Sequence, residues 1–122
     1  DQYADTLAKI SGFTALVTDN ETVIAVSGAP KNEYLAHEIS EHVREVMEDR
    51  SIWSTVDDNP KRILMGEKLL KYSAQIIAPI ICDADAIGSV ILLSTNFNKK
   101  ITEVEYKLVQ SAANILGKQM EA

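Results

Sequence analysis

The sequence predicts an α+β domain: an antiparallel sheet built of hairpins, with a helix at each end of the chain and one in the middle. Three observations carry this. Ala78-Pro79-Ile80-Ile81-Cys82 and Ile87-Gly88-Ser89-Val90-Ile91-Leu92-Leu93 are apolar, β-prone runs joined by a short polar Asp-Ala-Asp link, the pattern of a hairpin. The second run is apolar at nearly every position, so both of its faces should be covered. Further on, Ile101-Thr102-Glu103-Val104-Glu105-Tyr106 marks a helix start. Thr102 and Glu105 have the spacing of a capping box, and Ile101 with Tyr106 can staple around it.

The elements follow in order. Asp1–Ser11 places Ala4, Leu7, Ala8 and Ser11 on one helical stripe, and Gly12 is a suitable stop. Phe13–Thr18 and Thr22–Ser27 are strands about the turn Asp19-Asn20-Glu21. A loop from Gly28 to Asn32 leads into an amphipathic helix over Glu33–Arg50, with Asn32 as its cap and Leu35, Ile39, His42, Val43, Val46 and Met47 at helical spacing. Ser51–Val56 reads as a strand, and Asp57-Asp58-Asn59-Pro60-Lys61-Arg62 is the most loop-like stretch. Ile63–Leu70, broken by Gly66, fits a short helix or a loop equally well. Lys71–Cys82 and Ala86–Thr95 form the second hairpin, and Thr102–Met120 the last helix.

At 122 residues the chain is one domain, long enough to bury roughly two thirds of its unfolded surface. Twelve lysines and arginines against 18 acidic residues give a net charge of −6, which opposes phosphate binding and hence DNA binding by this chain alone. Cys82 is the one cysteine, so no intrachain disulfide forms and nothing argues for secretion. No apolar run approaches the ~20 residues that span a bilayer. No signal-peptide pattern precedes the first helix, and a cytoplasmic location is expected. The chain starts at Asp1 rather than methionine, so it reads as a piece of a longer protein.

No catalytic or metal constellation stands out. Asp83 with Asp85 and Asp57 with Asp58 suit turn chemistry and lack the spacing of a calcium loop. Phosphate-cradling glycine motifs and a nucleophile elbow are absent. Cys82 ends an apolar strand, where an inert core thiol is the ordinary reading and a redox or attachment site the sharper one. His37 and His42 are five residues apart and do not share a helical face. His42 falls on the apolar stripe, either as a hydrogen-bonded boundary residue or lining a pocket. Trp53, the single indole, is packing or a pocket wall. Ser73 and Gln75 put polar groups among apolar neighbours, where they meet protein partners or a ligand. His42, Trp53, Ser73 and Gln75 are therefore the ligand-binding candidates. No cofactor is indicated.

Pro79-Ile80 and Ile87-Gly88-Ser89-Val90, in this order of elements, resemble the GAF family of small-molecule-sensing and dimerisation modules. The resemblance extends along the chain through Tyr3-Ala4-Asp5, Ile24-Ala25-Val26-Ser27-Gly28, Asp49-Arg50-Ser51, Ala86-Ile87-Gly88, Ala112-Ala113 and Lys118-Gln119-Met120-Glu121. These segments are similar to the GAF-like C-terminal domains of a family of sporulation transcription regulators. The resemblance implies terminal helices on one face of the sheet and a middle helix plus loops on the other. It also implies a signal-sensing and oligomerisation domain that modulates an N-terminal DNA-binding domain lying outside this sequence, with DNA contacted only through that domain. GAF-fold methionine sulfoxide reductases use several cysteines, so the single cysteine argues against an enzyme of that kind. The turn Asp83-Ala84-Asp85-Ala86 departs from the GAF pattern by lacking a glycine, which implies an altered turn.

The terminal helices are the expected subunit interface of a homo-oligomer. Val104, Leu108, Ala112, Ile115 and Leu116 make a wide apolar face on the last helix, and Leu7 adds to it from the first. Small residues at Ala4, Ala8, Ala112 and Ala113 would let helices approach closely. The alternative function is a structural dimerisation domain whose pocket is filled by side chains.

Overall fold

A computed structural model of the chain describes residues 2–121. Helix α1 (Gln2–Ser11) precedes a hairpin of β1 (Thr14–Thr18) and β2 (Val23–Ser27). Next come the single turn α2 (Lys31–Tyr34), α3 (Glu41–Asp49) and the short β3 (Trp53–Ser54). The chain closes with β4 (Ala74–Cys82), β5 (Asp85–Ser94) and α4 (Glu103–Gln119). The expected start of the first helix at Asp1 lies outside the described residues. The five strands form one sheet in the order β2-β1-β5-β4-β3, with every pairing antiparallel.

Strand alternation divides the apolar residues between two layers. Ile76, Ala78 and Ile80 of β4, with Val90 and Leu92 of β5, face α1 and α4 and meet Leu7, Val109 and Ala113. Ile77, Ile91 and Leu93 face the other way, toward Val43, Val46 and Met47 of α3 and the loops around it. The sheet is thus covered on both faces, with the terminal helices on one and the middle helix plus loops on the other. Two glycines set how closely the parts approach. A Cβ at Gly88 would fall on the Thr18 carbonyl oxygen, and one at Gly117 on the Ile81 carbonyl oxygen. The β5–β1 contact and the seating of α4 on β4 both require them.

The expected capping box is present: Thr102 N donates to Glu105 Oε1 (2.7 Å), and Thr102 Oγ1 accepts from Val104 N (3.2 Å). The β4–β5 turn is tighter than the sequence suggested. Asp85 belongs to β5 and pairs with Cys82, so Asp83 and Ala84 alone make the turn, at φ of 50° and 73°. Two successive positive φ values match the twist of a hairpin, here without a glycine.

The helix expected over Glu33–Arg50 is two elements. Asn32 does not cap it; Pro30 holds that position without a side-chain bond. The chain leaves α2 at Leu35, passes through Ala36 at φ 67°, and runs beside the start of β2. There Val23 N donates to His37 O (3.0 Å) and Ile39 N to Glu21 O (2.9 Å). Ile39, fully buried, bridges Leu64 rather than joining a helical stripe. Strand-like pairing here outweighs the helical spacing of Leu35, Ile39 and Val43. Ser40 then caps α3, its Oγ accepting from Val43 N (3.2 Å) and donating to Arg62 O (2.6 Å). The strand expected over Ser51–Val56 shrinks to Trp53–Ser54, and Ile63–Leu70 is loop.

Candidate functional site

Helix α3 lays Val43, Val46 and Met47 into the second layer and leaves His42 at its flank, two positions past the cap. From there the imidazole reaches Trp53 on β3: ring centroids are 4.3 Å apart and the planes meet at 76°, edge to face. His42 Nε2 is buried without a hydrogen-bond partner among the described residues. Burial first, and then the Lys61 ammonium, lower the His42 pKa below its ordinary 6.5, against opposing contributions from Glu45 and Asp58. The ring is therefore neutral at physiological pH, with one nitrogen uncommitted.

The indole is held from its other end. Trp53 Nε1 donates to Asp58 Oδ2 (3.2 Å), and Asp58 pairs with the Lys61 ammonium at 3.5 Å. The Asn59 amide, donating to Asp58 at 2.7 Å, does most to keep that carboxyl below its usual range, and the indole follows. His42 borders two cavities. One of about 200 Å³ lies toward Glu45, Asp49 and Ser51, and the other, of about 540 Å³, toward Asn59, Lys61 and Leu70. The larger falls within the size range of ligand pockets.

The other sequence candidates divide. Gln75 lies beneath the same loop, wholly buried, and both polar atoms of its amide are bonded to that loop. Oε1 accepts from Lys61 N (2.8 Å) and Nε2 donates to Lys61 O (2.5 Å), as a neighbouring strand would. It therefore fixes the segment that carries Lys61. Ser73 Oγ donates to Asn96 O (2.8 Å), with Ser94 O also within reach at 3.1 Å, and borders a separate cleft of about 350 Å³. Only His42 and Trp53 come together. Among the interface candidates, Leu7 and Ala112 are buried in the chain's own first layer. Val104 (56% exposed) and Ile115 (46% exposed) face outward, and Leu108 is half-buried.

One cluster carried no signal in the sequence. The Tyr34 and Tyr72 hydroxyls are 2.9 Å apart, and Tyr72 donates in turn to Glu67 Oε2. Glu67 Oε1 accepts from Ile63 N (2.8 Å) and Leu64 N (3.3 Å), and the Lys71 ammonium lies 5.8 Å from the Tyr72 ring. Burial raises the pKa of both phenols, and the Glu67 hydrogen bond adds to that of Tyr72. The three residues come from α2, an irregular loop and the lead into β4, so no local spacing announces them. They close the space under α2 with hydrogen-bonded side chains.

Cys82 is buried, and burial followed by the Asp83 charge pushes its thiol up, which suits a packed side chain rather than a nucleophile. Among the described residues no three His, Cys, Asp or Glu side chains are grouped to hold a metal. No helix there is long and apolar enough to cross a membrane.

Comparison with known proteins agrees with this architecture. The chain is 35% identical over 122 residues to stage V sporulation protein T of Bacillus subtilis (strain 168), covering 98% of this chain and 66% of that protein. The chain thus spans just under two thirds of its relative. Among solved structures, it is similar to the GAF domain of an Acinetobacter phosphoenolpyruvate-protein phosphotransferase (TM-score 0.76, 14% identity, 97% of this chain and 77% of that one). It is also similar to the cofactor-binding GAF domain of the nutrient sensor CodY from Clostridium difficile (0.69, 15%, 98% and 83%). A type II free methionine-R-sulfoxide reductase from Thermoplasma acidophilum shares the fold as well (0.73, 13%, 96% and 86%). At these identities the structural likeness speaks for the fold. The family described as "Stage V sporulation protein T C-terminal, transcription factor" matches residues 1–121, and with its GAF fold this chain belongs to that family.

Proposed function

We propose that the chain is the regulatory domain of a sporulation transcription regulator, sensing a small molecule beside His42 and Trp53. The observation that carries the reading is the buried, unpartnered Nε2 of a neutral His42 at the border of a cavity of about 540 Å³. A buried polar atom without a partner costs free energy, and a ligand that bonds it removes that cost. Such a ligand acts only if it binds two arrangements of the domain unequally. Ligand contact at α3 reaches the sheet through Val43 and Val46, and the same sheet carries α1 and α4 on its far side. Those terminal helices are the proposed relay to a DNA-binding domain elsewhere in the full-length protein.

Native mass spectrometry of the full-length protein from its own cells tests this. A retained small-molecule mass that disappears in His42→Ala supports the reading. A ligand-free protein whose regulation is unchanged by His42→Ala overturns it.

The second reading is a structural dimerisation domain. The hydrogen-bonded Tyr34, Tyr72 and Glu67 side chains, which already fill the space under α2, favour it. The flank of α4 with Val104, Leu108 and Ile115 is the proposed contact in either case. Sedimentation equilibrium should find a dimer at micromolar concentration that Leu108→Glu dissociates; a parent monomer removes the assembly claim.

A further inference from the structure

The loop that carries Asp58 and Lys61 begins and ends on one residue of the sheet. At its start, Thr55 N donates to Gln75 O (2.9 Å), and Gln75 N donates to Thr55 Oγ1 (3.0 Å). At its end, the Gln75 side chain takes both backbone groups of Lys61, at 2.8 and 2.5 Å. Backbone and side chain of a single wholly buried residue of β4 thus clasp residues 56–60, which belong to no strand or helix. The side chain has to be an amide. A carboxylate would offer no donor to the Lys61 carbonyl, and an ammonium no acceptor to its N–H.

The groups that hold Trp53 and bias His42 from outside α3 stand on that loop. Asp58 accepts from Trp53 Nε1 (3.2 Å), Lys61 pairs with Asp58 at 3.5 Å, and the indole meets the imidazole edge to face. Burial and then the Lys61 ammonium disfavour a charged His42, and they outweigh Glu45 of its own helix and Asp58. Glu41 and Asp49 of α3, and Arg62 next to Lys61, also border the two cavities beside the ring. Resting on the reading that a ligand sits beside His42 and Trp53, we propose that Gln75 is a positioning residue of that site. By clasping the loop it fixes where Asp58 and Lys61 stand, and through them the pose of the indole and the charge of the imidazole offered to a ligand. Gln75 belongs to β4, which bears α4 on its other face, so the clasp also joins the site to the sheet. A ligand that binds more tightly when the loop is clasped strengthens the clasp by the same factor.

The test uses the ligand-free chain, so its outcome is separate from that of the retained-mass experiment. In an NMR titration, Gln75→Leu should raise the His42 pKa toward 6.5, because burial and Lys61 both relax, and should displace the Trp53 indole N–H resonance. Val109→Ala opens the core on the opposite face of the sheet; it should also destabilise the chain, yet leave both signals in place. Lys61→Met should raise the pKa as well. Gln75→Leu added to it should then have a smaller effect than in the parent, since the two act along one route. An unmoved His42 in Gln75→Leu, an equal response in Val109→Ala, or full additivity with Lys61→Met overturns the proposal. If Gln75→Leu does not fold, amide exchange of the parent decides. The Lys61 N–H, bonded to Gln75, should exchange at least about tenfold more slowly than those of Asp57 and Asp58; equal rates overturn the clasp.

Discussion

His42 sits where two demands conflict: its helix position draws it toward the second layer, yet among the described residues nothing accepts from or donates to Nε2. Its folded pKa lies below the ordinary 6.5, mainly through burial. Above that ordinary value both folded and unfolded chains hold a neutral ring, and the residue adds no pH dependence. As pH falls below it, the unfolded chain takes up a proton that the folded one resists, so stability drops until the lowered folded value is passed. His42→Gln should therefore narrow the difference in urea midpoint between about pH 7.5 and about pH 5.5; an unaltered difference would mean the ring titrates as if free. A second residue departs from its preferred conformation. Ala84 takes φ 73° in the β4–β5 turn, a region costly for a residue with a Cβ. Ala84→Gly should stabilise the chain by about 1 kcal/mol in the same urea measurement.

Among the elements, the segment between β3 and β4 has almost no regular structure of its own and is positioned by side chains reaching from either side. Gln75 does for Lys61 what a strand partner would. Gln75→Leu keeps the volume but leaves both Lys61 backbone groups unpaired, and should cost about 2–3 kcal/mol by chemical denaturation. The Ser73→Ala change, at a residue only partly buried, should cost about 1 kcal/mol or less. This contrast explains what could be read from the sequence. The hairpins, the capped α4 and the two-faced burial of β5 follow from short-range spacing, so they were legible. The break at Leu35 was not, because it depends on Ile39 bridging Leu64 and on residues 37–39 running beside β2. His42 and Trp53 were legible as polar or aromatic residues in apolar settings. The Tyr34–Tyr72–Glu67 cluster was hidden, since its members meet only through the tertiary fold. The apolar residues of α4 divide in a way the spacing did not separate: Ala112 turns inward with Val109 and Ala113, while Val104 and Ile115 turn out.

For the molecule as a whole, the net charge of −6 sets a boundary on its partners. In fluorescence anisotropy at low salt, this chain alone should show no saturable, sequence-dependent binding to promoter DNA; tight selective binding would refute that. The order of strands has a further consequence. β5 occupies the centre of the sheet, and Val90, Ile91, Leu92 and Leu93 are all buried, alternately toward the two layers. Its amide protons are shielded by neighbours on both edges and side chains on both faces, so they exchange with deuterium only when the whole domain opens. β3 and the tip of β2 open far more cheaply. A slowing of exchange in β5 on adding any compound therefore reports global stabilisation, whereas protection confined to residues 53–62 reports contact at the edge.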